Sequence, residues 1–335
     1  MMLNVNTEKS YPVYLGRSLL RQLEEYADFS TARIAFLVDA KVLALFPAFF
    51  ARRLVIPFDS DEEEKDLAAY KKLVAFLRQQ DFGPADCLIN VGGGKLSDLG
   101  GFVASTYKRG IRHINIPTTT LAQIDAAHGG KNGLDLWQTK NLLGTIYQPQ
   151  LVIIDYDFLT TLPERHYYNG LYEALKIALL FDEELFRLLE APVVFDNIET
   201  IVQSAVKHKI AVVEEDEYDR DKRRVLNFGH SVGHALESCC VDLLHGEAVM
   251  YGMMIMCENP KLRNRLAGLA QRWQLPPLPS LDHQLLAKAL VNDKKNRGSD
   301  NLTCIVLKDI KDWEFRQLPL TTLQQRIKEY EQSTR

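Results

Sequence analysis

Five short β-rich runs, most of them largely apolar, divide the first half of this 335-residue chain: residues 33–39 (RIAFLVD), 54–57, 86–91 (DCLINV), 111–116 and 151–155 (LVIID). A strand with one wetted face alternates polar and apolar residues, so runs this uniform ask for cover on both faces. Helical patterns separate several of them, as at 62–80, where charged positions lie opposite Leu67, Leu73, Val74 and Leu77. The combination predicts an α/β region with a mainly parallel sheet and helices on its faces. After about residue 157 long helical patterns dominate, at 170–189, 197–213, 225–240, 247–273 and 282–292, with one late strand at 301–307. The boundary is placed near 156–162, where the chain turns through Thr161-Leu162-Pro163, giving domains at 1–158 and 159–335. The acidic run at 59–64 reads as a solvated helix N-terminus, where carboxylates suit the helix dipole.

Composition narrows the partners. Forty Lys and Arg against 44 Asp and Glu leave a formal charge of −4, which argues against nucleic acid as a partner. Five scattered cysteines without a C-x-x-C argue against a disulfide framework or a cysteine zinc site, and point to a reducing, cytoplasmic setting. The first residues, MMLNVNTEKSYPVYLG, lack the layout of a signal peptide, and no apolar run reaches the roughly 20 residues that span a bilayer. No membrane partner is expected.

Three stretches carry chemistry. The first is Gly92-Gly93-Gly94-Lys95-Leu96-Ser97-Asp98, directly after the run DCLINV. Glycines after a strand let backbone approach a ligand, and a following helix aims free N–H groups at phosphate. The spacing is not G-x-G-x-x-G, and a plain tight turn is the competing reading. Asp39, ending another apolar run, has the chemistry for a ribose hydroxyl, although a turn residue is its blander role. The second stretch runs from Thr118 to Gly144, where Asp125, Lys131, Lys140 and Asn141 suit an anionic, hydroxylated ligand. Its alternative is a surface loop with solvated lysines, which the flanking Leu121, Ile124, Leu142 and Leu143 weaken.

The third stretch, VLNFGHSVGHALESCC, places His230 and His234 four residues apart on one helical face, with Gly229 and Gly233 spaced likewise to let something approach. Leu244-His245-Gly246-Glu247 follows, and Glu173 lies upstream in GLYEALK. Histidines with a carboxylate and no cysteine suggest a divalent metal such as zinc, and three protein ligands with one open position would make it catalytic. Spacing alone selects His230 and His234 as the ligand pair. Arg109, Lys209, Arg223 and Lys294 cannot be assigned by spacing.

Taken in order, GGGKLSDLGGF, TYKRGI, IPTTTLAQID, GGKNG, KNLLG, TLPER, GLYEALK, RVLNFGHSVGHALES and LHGEAV make the chain resemble the 3-dehydroquinate synthase family of sugar-phosphate cyclases, from about Asp39 to Asn296. The resemblance implies a Rossmann-like NAD-binding N-terminal domain and a mainly α-helical metal-binding C-terminal domain. It implies Glu173, His230 and His245 as ligands of one divalent metal, Zn2+ or Co2+. His234 would then be a substrate-side hydrogen-bonding and proton-relay residue, in place of the ligand that spacing selects. NAD+ would lie against Asp39, Glu62, Lys65, Gly94, Lys95, Leu96, Ser97, Asp98, Thr118 and Thr119, with Lys131, Lys140, Phe158, Leu159, Thr160 and Thr161 alongside. Arg109, Asp125, Lys131, Lys140, Asn141, Lys176, Lys209, Arg223, Asn227 and one of Lys294 or Lys295 would grip substrate, with Lys131, Arg109, Asn227 and His234 closest to the chemistry.

The implied reaction is that of the shikimate pathway. It converts 3-deoxy-D-arabino-heptulosonate 7-phosphate to 3-dehydroquinate plus phosphate by transient NAD-mediated oxidation, phosphate elimination, reduction and intramolecular aldol closure. A homodimer is implied as well. The chain departs from the family pattern at Lys41, Asp61, Lys95, Ser97, His128 and Asn132, all bordering cofactor or substrate. Sister cyclases acting on aminated or sedoheptulose substrates, metal-dependent alcohol dehydrogenases and a non-catalytic scaffold are the alternatives. Arg223, Asn227 and His234 together favour a substrate with a carboxylate.

Overall fold

The computed structural model describes residues 1–30, 32–137, 139–192, 194–292 and 301–333. They divide into two units, Met1–Tyr167 with Val206–Asp219, and Tyr168–Ala205 with Arg220–Arg335. The strands of the first unit are β1 (Met2–Val5), β2 (Tyr11–Gly16), β3 (Ile34–Asp39), β4 (Leu54–Phe58), β5 (Cys87–Gly92), β6 (Arg112–Pro117), β7 (Lys131–Leu136), β8 (Thr139–Ile146) and β9 (Leu151–Asp155). All but β7 and β8 form one sheet in the order β1-β2-β9-β6-β5-β3-β4, parallel throughout except for β1.

The five apolar runs become β3, β4, β5, β6 and β9. Side chains alternate between the two faces: Ala35, Leu37 and Leu88 join one core cluster with Leu73, Leu77, Leu99 and Val103, while Phe36, Val38 and Ile89 join another with Leu20, Leu23, Phe50 and Ile114. Both faces are therefore covered, as the uniform runs demand. The chain leaves β3 toward β4 on one side and returns to β5 on the other. That reversal makes the carboxyl ends of β3 and β5 the switch point of the sheet, where α/β proteins bind ligands. Asp39 ends one of these strands and Gly92 the other.

Several expected boundaries move. The first amphipathic helix begins at Leu67 instead of near 62, because the Asp66 carboxylate caps it by accepting from the Ala68 and Ala69 amides. Residues 59–64 are consequently loop. The pattern at 170–189 splits into Glu164–Phe181 and Glu183–Glu190 at the Asp182 cap. That at 247–273 splits into His245–Met256 and Pro260–Arg272 where Asn259 caps and Pro260 starts a new helix. The glycine- and lysine-rich stretch holds an antiparallel hairpin, β7 against β8. The late strand also has a partner: β10 (Asn301–Asp309) pairs with β11 (Asp312–Pro319), and the chain continues into the helix Leu320–Ser333.

The remainder of the second unit is helical, built on Ile198–Glu215 in part, His230–Cys239 and His283–Asn292 besides the helices above. The expected helix at 225–240 is interrupted. A 3-10 turn, Lys222–Asn227, precedes it, and Gly229 at φ 76° starts the α-helix at His230. No helix among the described residues is long and apolar enough to cross a membrane.

Candidate functional site

In the first unit the switch point gathers several of the residues assigned to a dinucleotide, among them Asp39, Lys65, Gly94 and Asp98. Gly93 is the N-cap of the helix Gly94–Thr106 and contributes no side chain there, so the opening turn offers backbone N–H groups. A Cβ on Gly94 would come within 2.9 Å of the Ala126 methyl, so a bulkier residue would crowd this turn. Across the switch point the Asp39 carboxylate accepts from the Lys41 amide at 2.9 Å and from the Ser60 hydroxyl at 2.6 Å. Lys65 is buried, and its ammonium donates to Asp98 Oδ2 and Asn141 Oδ1, both at 2.6 Å. Burial pushes the Asp98 carboxyl up, and the neighbouring Lys65 charge only partly opposes this.

The other residues of the set have different settings. Leu96 and Phe158 belong to the core, Leu159 is buried, and the Ser97 hydroxyl turns back to the Gly93 carbonyl. Thr118 is buried, and Thr119 Oγ1 accepts from the Ala122 amide. The Thr160 and Thr161 hydroxyls donate to carbonyls of their own turn, Asp157 and Phe158. Glu62 is exposed.

Two of the anion-binding candidates of the first unit, Lys209 and Lys131, are already engaged with acids. Lys209 is buried on the helix Ile198–Glu215 and donates to Asp125 Oδ1 at 2.5 Å. Lys131, half-exposed at the start of β7, pairs with Asp219 Oδ2 at 2.6 Å. Lys140 on β8 is exposed, and so is Arg109, which sits at φ 67° after the helix Gly94–Thr106. Asp219 was not singled out by any spacing; its only signal is a carboxylate in the run EEDEYDRD, which reads as solvated charge.

The second unit brings the histidines together. His230, His234 and His245 each offer a ring nitrogen, and these atoms lie within 4.8 Å of one another. Fully buried Glu173 adds a carboxylate, with Oε1 3.6 Å from both His230 Nε2 and His245 Nε2. Its other oxygen lies 2.5 Å from the ammonium of Lys176, one turn later on the same helix. His230 Nδ1 faces the Phe228 carbonyl at 3.1 Å, which fixes the ring and leaves Nε2 toward the cluster. His245 Nδ1 faces Glu237 Oε2 at 3.4 Å. Glu237 escaped the sequence reading, although it continues the stripe His230, His234 at the next helical step.

Glycines set this geometry by admitting another helix, a different role from the ligand access that their spacing suggests. A Cβ on Gly233 would lie 3.0 Å from Val249 Cα, and one on Gly252 would lie 1.9 Å from the Gly229 carbonyl. The helix His245–Met256 thus packs tightly on His230–Cys239, with its N-terminus capped by Glu247, which accepts from the Leu244 amide. His245 is its first residue.

The electrostatics suit a cation. Burial, with Lys176 adding to it, holds the His230 imidazole well below its usual range, so it stays neutral and able to donate a lone pair. Burial alone would also lower His245, but Glu173 and Glu237 overrule it and lift this imidazole to about 9. Those carboxylates favour positive charge at this point, from a proton or from a metal. Three imidazoles and a carboxylate with no thiol are a donor set that fits zinc or cobalt. Arg223 is buried and Asn227 half-buried in the turn preceding the cluster. Lys294 and Lys295 lie outside the described residues.

Comparison with known proteins gives a consistent result. A family model for the N-terminal part of 3-dehydroquinate synthase matches residues 55–169, and one for its C-terminal part matches 170–296. The 3-dehydroquinate synthase of Latilactobacillus sakei is 36% identical over 97% of this chain and 97% of its own. That of Campylobacter concisus is 35% identical over 91% and 92%. Among solved structures, a 2-deoxy-scyllo-inosose synthase complexed with carbaglucose-6-phosphate, NAD+ and Co2+ superposes with a TM-score of 0.86 at 23% identity, covering 98% of this chain and 99% of that one. A 2-epi-5-epi-valiolone synthase from Streptomyces hygroscopicus with NAD+ and Zn2+ bound reaches 0.84 at 27% identity, covering 99% of both. A glycerol dehydrogenase from Schizosaccharomyces pombe shares the fold more distantly, at 0.63 and 17%, over 96% of this chain and 89% of that one.

Proposed function

This chain belongs to the 3-dehydroquinate synthase family, and from that premise we propose that it converts 3-deoxy-D-arabino-heptulosonate 7-phosphate to 3-dehydroquinate plus phosphate, as a phosphate-eliminating lyase. The observation that carries the proposal is the cluster of His230, His245 and Glu173, with Glu237 behind it. In this reading NAD+ supplies a transient hydride acceptor and a single Zn2+ or Co2+ a Lewis acid, and both are restored each cycle.

The chain's own residues do the rest. Glu173, His230 and His245 would hold the cation, with Glu237 orienting His245 through its Nδ1. His234, exposed beside them, would shift a proton at the substrate. Asp39 and the opening turn at Gly94 would take the ribose and pyrophosphate of the dinucleotide, with Lys65 and Asp98 beside them. Lys131, Lys209, Lys176, Arg109, Lys140 and Arg223 supply cations for the phosphate and carboxylate of the substrate, with Asp125, Asn141 and Asn227 as hydrogen-bonding partners. Cation clamps and positioning then lower the barrier to phosphate departure. The same reading makes the protein a cytoplasmic homodimer.

The experiment is direct. Purified protein given NAD+ and Zn2+ or Co2+ should release inorganic phosphate from the heptulosonate phosphate and form dehydroquinate, with no net NADH. Absence of phosphate release with cofactor and metal confirmed bound sinks the proposal. Net NADH would indicate a dehydrogenase, and turnover of sedoheptulose 7-phosphate instead would indicate a sister cyclase.

A further inference from the structure

Lys95 lies one position into the helix that opens at the glycine turn. Its ammonium is directed to the acidic segment 59–64. It donates to the Ser60 carbonyl at 3.0 Å and the Glu63 carbonyl at 3.3 Å, and Glu64 Oε2 lies 3.3 Å away. An ammonium has three donors, and here three acceptors surround it. To reach a pyrophosphate it would have to let go of the segment.

The same segment is fastened from the other side of the switch point. The Ser60 hydroxyl donates to Asp39 at 2.6 Å, and Lys41 pairs with Asp61 at 2.6 Å. Beyond the segment, Lys65 bonds Asp98 and Asn141. Five carboxylates within six residues repel one another and would splay the loop open. Lys41 after β3 and Lys95 after β5 hold it instead, together with Lys72 of the helix Leu67–Gln79, whose half-exposed ammonium lies 2.8 Å from Glu63 Oε2. Lys41 and Asp61 are exposed, so their pair contributes little. Lys95 is about two-thirds buried and anchors main-chain carbonyls, which gives it the larger share.

We propose that Lys95 is a positioning residue that fastens the acidic segment 59–64 to the glycine-turn helix, so that this wall of the dinucleotide site is in place before NAD+ arrives. The proposal rests on the reading that the switch point binds NAD+. A wall ordered in advance spares the cofactor the entropy of ordering it.

The test compares Lys95→Met and Lys95→Arg with the unaltered full-length protein. Hydrogen exchange of the cofactor-free protein should quicken in peptides covering 59–66 in Lys95→Met, with β3 and β5 unchanged. Calorimetry should show NAD+ binding weakened about three- to tenfold. Lys95→Arg, whose guanidinium can reach the same carbonyls, should recover most of both effects. Unchanged exchange at 59–66 overturns the proposal whatever NAD+ does, and weaker binding with unchanged exchange would put Lys95 on the cofactor itself. Exchange that quickens throughout the unit would make Lys95 a general stabiliser, which also overturns it. Failure of the unaltered protein to bind NAD+ would instead remove the functional reading, and the exchange result would still decide whether the brace exists.

Discussion

The two units prepare their ligand groups in opposite ways. In the second unit, three histidines are gathered around Glu173, which Lys176 partly offsets, and the carboxylates of Glu173 and Glu237 favour positive charge at His245. In the first unit three buried or half-exposed cations are already matched: Lys131 with Asp219, Lys209 with Asp125, Lys65 with Asp98. One site concentrates donors for a cation, whereas the other would exchange an internal partner for an external one. An incomplete site binds its ion strongly, while a self-paired site binds its anion reversibly. A catalyst that keeps its metal and releases phosphate needs that division.

The largest test of the contrast is His230→Ala, which should lower metal affinity more than about a hundredfold by removing a ligand outright. His234→Ala should keep the metal, as measured by elemental analysis, and lose turnover. Equal loss of metal in both would restore the pairing that helical spacing alone selects.

Next in size is acid stability of the first unit. Burial holds His113 down to about 3 and His128 down to about 4. Both are lowered from the unfolded value of 6.5, so their stabilising contribution is full above pH 6.5 and is lost as pH falls from there toward 3 to 4. At pH 5 the loss is about 2 kcal/mol for each. Urea unfolding at pH 7 and pH 5 measures it, and His113→Phe, which keeps an aromatic ring stacked near Tyr147, should remove roughly half of the pH effect. An unchanged pH dependence in that variant would show that His113 accepts a proton without unfolding.

Glu237→Gln comes third. It retains an oxygen for His245 Nδ1 but removes the charge, and metal affinity should fall by about tenfold. Unaltered affinity would confine the incomplete-site picture to Glu173. The smallest effect is expected from Asp219→Asn. With the charge of Asp219 removed, Lys131 should meet the substrate anion more readily, lowering the substrate KM about threefold, with thermal stability little moved because the Lys131 side chain is half-exposed. A higher KM would mean that Asp219 aims Lys131 and does not compete for it.

What the sequence made readable follows from the range of each signal. Most of the parallel strands stood out because complete burial leaves a nearly unbroken apolar run, as in β3 and β9. Strands β2, β7, β8 and β11 did not, since Pro12, the glycines of the hairpin and half-exposed positions blur their pattern. Helix ends were misplaced wherever one capping side chain decided them, at Asp66, Asp182 and Asn259. The ligand stripe on His230–Cys239 was visible at helical spacing. That Glu173 and His245 meet it is a fact of tertiary packing, reached at sequence level only through the family's motif order. Asp219 carries no local signal at all, because a paired acid and a solvated one look alike in a charged loop.

Gly252 carries a consequence of its own. It offers no side chain to a ligand, yet it admits the Gly229 carbonyl at a distance that no side chain would tolerate. His245 rides on the helix that this contact seats. The part of the sequence that can silence the metal centre is therefore larger than its coordinating residues, and includes a position where the gain of one methyl group is enough.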